Sequence, residues 1–250
     1  MESNRFGNAQ SLRGPVMSLA MEKQATFKEI QKEYDHLFKT DPIRDETRAY
    51  QWFAKKAIKA NSQPELALDL ACGGGYFLTA LRELSSKKTS CVGIDLSPQA
   101  LQIARKECPT AALFEGMAEN LPFQKDIFDI VACLGSLEHF LDTGLALHEM
   151  VRVTRKRGRI LILVPNIFWY KDLLAVLWTG GRLKRNQTHE KFASLAEWEE
   201  ILEGSGLEVS KVEKYNGIAK NPFKQWLKDR LIPLRFSYHF LFICQPRKEN

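Results

Sequence analysis

The stretch that most limits what this chain can become is Leu66-Ala67-Leu68-Asp69-Leu70-Ala71-Cys72-Gly73-Gly74-Gly75. An apolar run carries one acid near its tip and gives way to small residues and glycines. Tyr76-Phe77-Leu78-Thr79-Ala80-Leu81 follows at once with a helical pattern. This reads as a buried strand, a tight turn and a helix. Glycine lets the backbone adopt positive φ and lets a ligand approach closely, and the new helix points its free N–H groups at that ligand. A second short strand, Cys91-Val92-Gly93-Ile94-Asp95, also ends in an acid. In doubly wound sheets such an acid accepts hydrogen bonds from ribose hydroxyls. Two acid-tipped strands around one glycine turn predict a bound nucleoside.

The remaining chain repeats the alternation. Further strands are predicted at 111–114, 127–133 and 159–164, from Leu207, and at 238–244. Helices are predicted at 75–84, after Ser97-Pro98, at 143–154 and at 194–204, with Ser97 suited to cap and Pro98 to the first helical position. The fold class is therefore α/β: a Rossmann-like, doubly wound, mostly parallel seven-stranded sheet with helices on both faces. Residues 22–60 have helical spacing, broken at Asp41-Pro42. The expected organisation is a disordered tail at 1–21, a helical cap at 22–64 and a main domain at 65–250. That domain divides into a ligand-binding half, 65–165, and a substrate-side half, 166–250.

Composition narrows the setting. No window carries the ~18 uninterrupted apolar residues of a membrane span, and the first twenty residues lack the apolar core of a signal peptide. Five cysteines, Cys72, Cys91, Cys108, Cys133 and Cys244, include no C-x-x-C pair and sit in or beside apolar runs. Buried thiols in a reducing compartment follow, and with them a cytoplasmic location. The net charge of +6 is concentrated from Lys211 onward, where nine Lys/Arg meet three Asp/Glu. Beyond a solvated face, that excess fits an anionic substrate or a peripheral membrane contact. The large apolar side chains of 167–178 fit either core packing or the wall of an apolar pocket or membrane-facing flap.

The nucleoside can be specified further. Leu78 stands where a dinucleotide fingerprint needs its third glycine, which argues against a nicotinamide cofactor. Asp69, Ala71, Gly73 and Gly75 instead match, position by position, the first motif of the class I S-adenosylmethionine-dependent methyltransferases. Gly116-Met117-Ala118-Glu119-Asn120-Leu121-Pro122-Phe123, Phe128-Asp129-Ile130-Val131, Leu137-Glu138-His139, Glu149-x-x-Arg152-Val153 and His189-Glu190-Lys191-Phe192 resemble later motifs of the same family in the same order. The chain from about Tyr34 onward resembles a type 11-like member, and Tyr34-Asp35-His36-Leu37-Phe38 resembles the family's N-terminal helical lid.

The resemblance implies S-adenosylmethionine as cofactor and methyl transfer to a small-molecule acceptor that is apolar, anionic, lipid- or glycan-linked, or quinone-like. It places the methionine moiety on Asp69 and the backbone of Ala71, Cys72, Gly73 and Gly75. The ribose falls on Asp95, adenine on Leu96, Met117 and Ala118, and the sulfonium beside Leu134. His139 is the implied base, and His189 a second candidate contact. Met117 replaces the family's usual adenine-binding Asp, and its thioether can pack on the ring. Gly135 replaces the first Glu of the E-x-x-E-H found in metal-dependent quinone O-methyltransferases, so no metal is expected. Lys156-Arg157 replaces the usual Pro-Gly at what reads as a turn. Alternatives are an RNA-directed methyltransferase, a non-catalytic cofactor-binding protein and, more distantly, a nicotinamide oxidoreductase. No aromatic box for exocyclic amines follows Cys133, and no RNA-binding module is visible, so a nucleic-acid partner is not expected.

Overall fold

The computed structural model describes residues 14–40, 47–61, 63–85, 89–179 and 191–247. The chain forms two contact units, residues 1–43 and 44–250. The described residues of the first form helix α1 (Gly14–Thr40), whose last residue bonds back through its hydroxyl to the His36 carbonyl at 2.9 Å. Residues 14–21, expected in the unstructured tail, are thus helical.

The second unit begins with α2 (Thr47–Ala60) and continues as β1 (Leu66–Leu70), α3 (Tyr76–Leu84), β2 (Ser90–Asp95), α4 (Pro98–Glu107), β3 (Ala112–Glu115) and β4 (Phe128–Leu134). After a 3₁₀ turn at Leu137–His139 come α5 (Thr143–Val153), β5 (Thr154–Pro165), α6 (Tyr170–Thr179), α7 (Leu195–Gly204), β6 (Leu207–Tyr215), α8 (Pro222–Leu231) and β7 (His239–Pro246). The seven strands lie in the order β3-β2-β1-β4-β5-β7-β6. β1 to β5 pair in parallel, and β7 runs antiparallel between β5 and β6. The expected doubly wound sheet is present. Helix α2 packs against α3 within this unit, and the two contact units divide after Ile43.

Side chains of a strand alternate between faces, and each face has its own core. Leu68, Leu70, Val131, Ile160, Ile162 and Phe242 pack on one side. Ala67, Ile130, Ala132, Leu161, Leu163 and Leu241 pack on the other, against α2 and α3. Burial of each large aliphatic side chain is worth about 1.5–3 kcal/mol. All five cysteines are reduced and buried, and burial pushes the Cys91 and Cys244 thiols up to about 12.

One expected turn is absent. Helix α5 stops at Val153 and Lys156-Arg157 lies within β5, where the register jumps between Phe128↔Thr154 and Ile130↔Arg159. The extra residues bulge from the ladder. Gly158 permits this, since a Cβ there would lie 2.9 Å from the Phe128 carbonyl oxygen and 2.6 Å from Thr154 Cγ2.

Candidate functional site

The carboxyl ends of β1, β2, β4 and β5 lie side by side, and a doubly wound sheet binds its ligands at that end. β1 delivers Asp69 and β2 delivers Asp95, both buried. Between them runs the turn 71–75, in which Ala71 (φ 52°), Gly73 (φ 53°) and Gly75 (φ 76°) all take the left-handed region. A side chain at Gly75 would also meet Ala104 Cβ at 3.1 Å. Ala71 tolerates a conformation that costs a non-glycine residue of order 1–2 kcal/mol.

The turn is locked to the second strand. The Cys72 amide donates to the Ile94 carbonyl at 3.1 Å, and the Gly73 amide to Asp95 Oδ2 at 2.8 Å. Asp95 Oδ1 accepts from the Ser97 amide at 2.8 Å. Ser97 caps α4 by accepting from the Ala100 amide at 3.2 Å, as the sequence predicts. Asp95 therefore sets the shape of the turn, a scaffolding role beyond the ribose contact its motif implies. The Cys72 side chain faces the core beside Gly93, so only its backbone belongs to the turn.

Asp69 is electrostatically uncomfortable. Burial, and then the Asp95 carboxylate, push its carboxyl well above the usual range. A buried acid beside a second acid is stabilised in its charged form only by a cation or by hydrogen-bond donors.

The other predicted residues reach the same end of the sheet by different routes. Leu96 is half-buried and follows Asp95 directly. Met117 and Ala118 lie in the loop after β3, anchored by the Gly116 amide on the Asp95 carbonyl at 3.1 Å; Met117 is half-buried and Ala118 buried. Leu134 closes β4, whose Cys133 pairs with Leu70. His139 ends the 3₁₀ turn beyond it, half-buried, with Nε2 3.9 Å from Glu138 Oε1. His189 lies outside the described residues.

Two motif residues that received no role from sequence turn out to be braces. Arg152 donates to Glu149, to the Phe123 carbonyl at 2.7 Å and to the Leu121 carbonyl at 3.0 Å, while Glu149 Oε2 accepts from the Leu121 amide at 2.7 Å. The Arg152 guanidinium holds the Glu149 carboxyl below the usual range. This pair pins the chain just after Met117 and Ala118. The i, i+3 spacing of acid and arginine on α5 is the signal that marks it. Helix α2 contributes Tyr50, whose ring lies 5.6 Å from that of Tyr76 at the start of α3.

Known proteins agree with this architecture. Residues 68–162 match the family described as a methyltransferase domain. An uncharacterized methyltransferase, YcgJ of Bacillus subtilis, is 29% identical over 64% of this chain, and the match spans 63% of its own length. A demethylmenaquinone methyltransferase of Chlorobaculum parvum is 32% identical over 46% of each chain. The chain thus spans less than two thirds of the length of these relatives. Among solved structures, magnesium protoporphyrin IX methyltransferase (ChlM) of Synechocystis with bound SAH superposes with a TM-score of 0.57 at 15% identity, covering 81% of this chain and 83% of that one. Residues 68–162 thus carry a methyltransferase domain, and in its strand order and acid–glycine–acid turn the chain is similar to the class I S-adenosylmethionine-dependent methyltransferases.

Proposed function

We propose that this protein binds S-adenosylmethionine at the 69–75 turn and transfers its methyl group to a small, quinone-like acceptor. The single observation that carries the cofactor assignment is the pair of buried carboxylates at neighbouring strand tips, with Asp69 pushed up by burial and by Asp95. A ligand bearing an ammonium group beside a ribose relieves that arrangement: the ammonium neutralises Asp69, and ribose hydroxyls donate to Asp95. The relative that acts on demethylmenaquinone supports the acceptor class, and SAH in ChlM supports the cofactor.

When bound, the cofactor supplies an electrophilic methyl on a sulfonium. The chain's own contribution is then alignment and exclusion of water rather than activation of the donor. The left-handed backbone at Gly73 and Gly75 lets the ligand approach the turn closely, and the first amides of α3 lie beside it. Met117 and Ala118, held by the Glu149–Arg152 brace, form the adenine side. An oxygen nucleophile must lose a proton, and His139 is the imidazole on the loop following β4 that fits this task.

Titration calorimetry with S-adenosylmethionine and S-adenosylhomocysteine tests the core of this reading, and failure to bind either one overturns it. Incubation with demethylated quinones, monitored for release of S-adenosylhomocysteine, tests the acceptor class. His139→Ala is expected to lower kcat by about 10²-fold or more while leaving the donor dissociation constant unchanged. Equal loss of both removes His139 from the role of base.

A further inference from the structure

Helix α8 is built inside out. Phe223, Trp226, Leu227 and Leu231 recur at the three- and four-residue spacing of an amphipathic helix, a face that ordinarily turns to the core. Here that stripe faces solvent: Phe223 is 66% exposed, Trp226 57% and Leu231 66%. The only two positions of α8 that are even half-buried are polar, Gln225 and Lys228. The polar side is what ties the helix down. Gln225 Oε1 accepts from the Ala219 amide at 2.6 Å and Lys228 Nζ donates to the Asn216 carbonyl at 3.3 Å. Lys214 of β6 donates to the Asp229 carbonyl and, at 2.8 Å, to the Ile232 carbonyl.

A helix that spends its polar side on the body and offers its apolar side to water has an external partner. Charge identifies the occupant. Residues 220–236 carry Lys220, Lys224, Lys228, Arg230 and Arg235 against a single acid, Asp229. A second copy docked stripe to stripe would bring two such cationic surfaces together. Nucleic acid would satisfy the cations and stack on Trp226, but it gives nothing to the aliphatic Leu227 and Leu231. A bilayer with anionic headgroups satisfies both, with apolar side chains entering the acyl boundary and long basic side chains reaching phosphate. Among the described residues no helix is long and apolar enough to cross a membrane, so the contact is with one surface only.

Position connects this surface to the site. α8 follows the carboxyl end of β6, and α6 follows the carboxyl end of β5, the same end of the sheet that carries Asp69 and Asp95. The two segments are tied there: Asn166 Nδ2 donates to the Arg235 and Ser237 carbonyls at 3.0 and 2.8 Å, and the Trp169 and Tyr238 rings lie 4.5 Å apart. α6 also buries no side chain, with Leu177 82% and Trp178 92% exposed.

We infer that the apolar stripe of α8, flanked by its lysines and arginines and continued by α6, docks this protein on an anionic lipid surface and turns the open end of the sheet toward the bilayer. The corollary, that the acceptor is an amphiphile taken from the membrane, rests on the methyltransferase reading above.

The test uses the full chain and sedimentation with vesicles of phosphatidylcholine alone or mixed with phosphatidylglycerol. The protein is expected to pellet with the mixed vesicles, to be released as salt rises, and to bind pure phosphatidylcholine weakly. The surface variant Trp226→Ala/Leu231→Ala is expected to lose vesicle affinity by at least about tenfold, as is Lys224→Glu/Arg230→Glu. Both variants are expected to keep their circular dichroism and their donor affinity, measured by calorimetry without lipid. Failure of the wild type to pellet with mixed vesicles, or unchanged pelleting of the apolar variant, overturns the proposal. So does a concentration-dependent dimer that the apolar variant abolishes, which assigns the stripe to a second copy, or binding of RNA that the apolar variant abolishes while vesicles are ignored. Donor binding is read separately, so a wild type that binds donor but not mixed vesicles sinks the docking surface alone, and a wild type that binds mixed vesicles but not donor sinks the methyltransferase reading alone.

Discussion

The two ends of the central strands handle acids in opposite ways. At the amino end, Asp129 of β4 accepts from the Glu65 and Leu66 amides at 2.9 and 3.0 Å and is paired with Arg155 of β5 at 2.7 Å. Its charge is met on every side, and it fastens β1, β4 and β5 to one another. At the carboxyl end, Asp69 faces a second carboxylate and burial raises its proton affinity. A neutralised acid holds strands together, whereas an acid held beside another acid is where the proposed ligand would bring its counter-charge. The same residue type therefore stabilises one end and costs stability at the other.

That contrast breaks most visibly at Asp69. Asp69→Asn is expected to weaken S-adenosylmethionine binding by roughly 30- to 150-fold, about 2–3 kcal/mol for a lost charged hydrogen bond, read by calorimetry. The same variant is expected to raise the denaturant midpoint of the ligand-free protein, since it removes a buried like-charge pair. A destabilised apo protein would mean that Asp69 is a structural acid like Asp129.

Asp129→Ala is the mirror experiment. It strands two amides and the Arg155 guanidinium and is expected to cost about 2 kcal/mol of unfolding free energy. Donor affinity of the folded fraction is expected to be unchanged. Arg152→Ala, which frees the 121–123 segment, is expected to cost about 1 kcal/mol and, unlike Asp129→Ala, to weaken donor binding several-fold through the adjacent Met117 and Ala118.

The remaining effect is in pH. The folded Asp69 binds its proton more tightly than the unfolded chain does, so it adds stability at acid pH. That stability is lost as pH rises from the unfolded carboxylate value toward the raised folded one, with a slope of at most about 1.4 kcal/mol per pH unit. Donor affinity runs the other way, because the proton competes with the ammonium, falling at most about tenfold per unit as pH drops below the raised value. Asp69→Asn is expected to flatten both trends. A donor affinity independent of pH across this range would separate Asp69 from the ammonium.

Much of the site is legible from residues close together in sequence. The strand–turn–helix at 66–81 was readable because its apolar run, glycines and helical restart are all local. So was the Ser97 cap, confirmed by the Ala100 amide. Less legible were the contacts that join segments distant in sequence. Asp129 sits in a recognisable motif, yet nothing in its spacing from Arg155 announces that the two meet across β4 and β5. Lys156-Arg157 read as a turn, because the bulge that keeps it inside β5 depends on how β4 draws the chain back. Helix α8 was missed as an element because its apolar stripe sits among basic residues and its capping residue, Asn221, marks only the start.

The sequence by itself determined the alternation of strands and helices, the glycine turn and the two acids beside it. Backbone periodicity and turn chemistry act over a few residues and leave their mark locally. Only the tertiary structure decided which acid would be paired and which left beside another acid, since that depends on partners from other strands. It alone decided that the apolar side of α8 looks outward. Amphipathic spacing guarantees that a helix has an apolar face, but which way that face turns is set by the hydrogen bonds its polar side finds on the body.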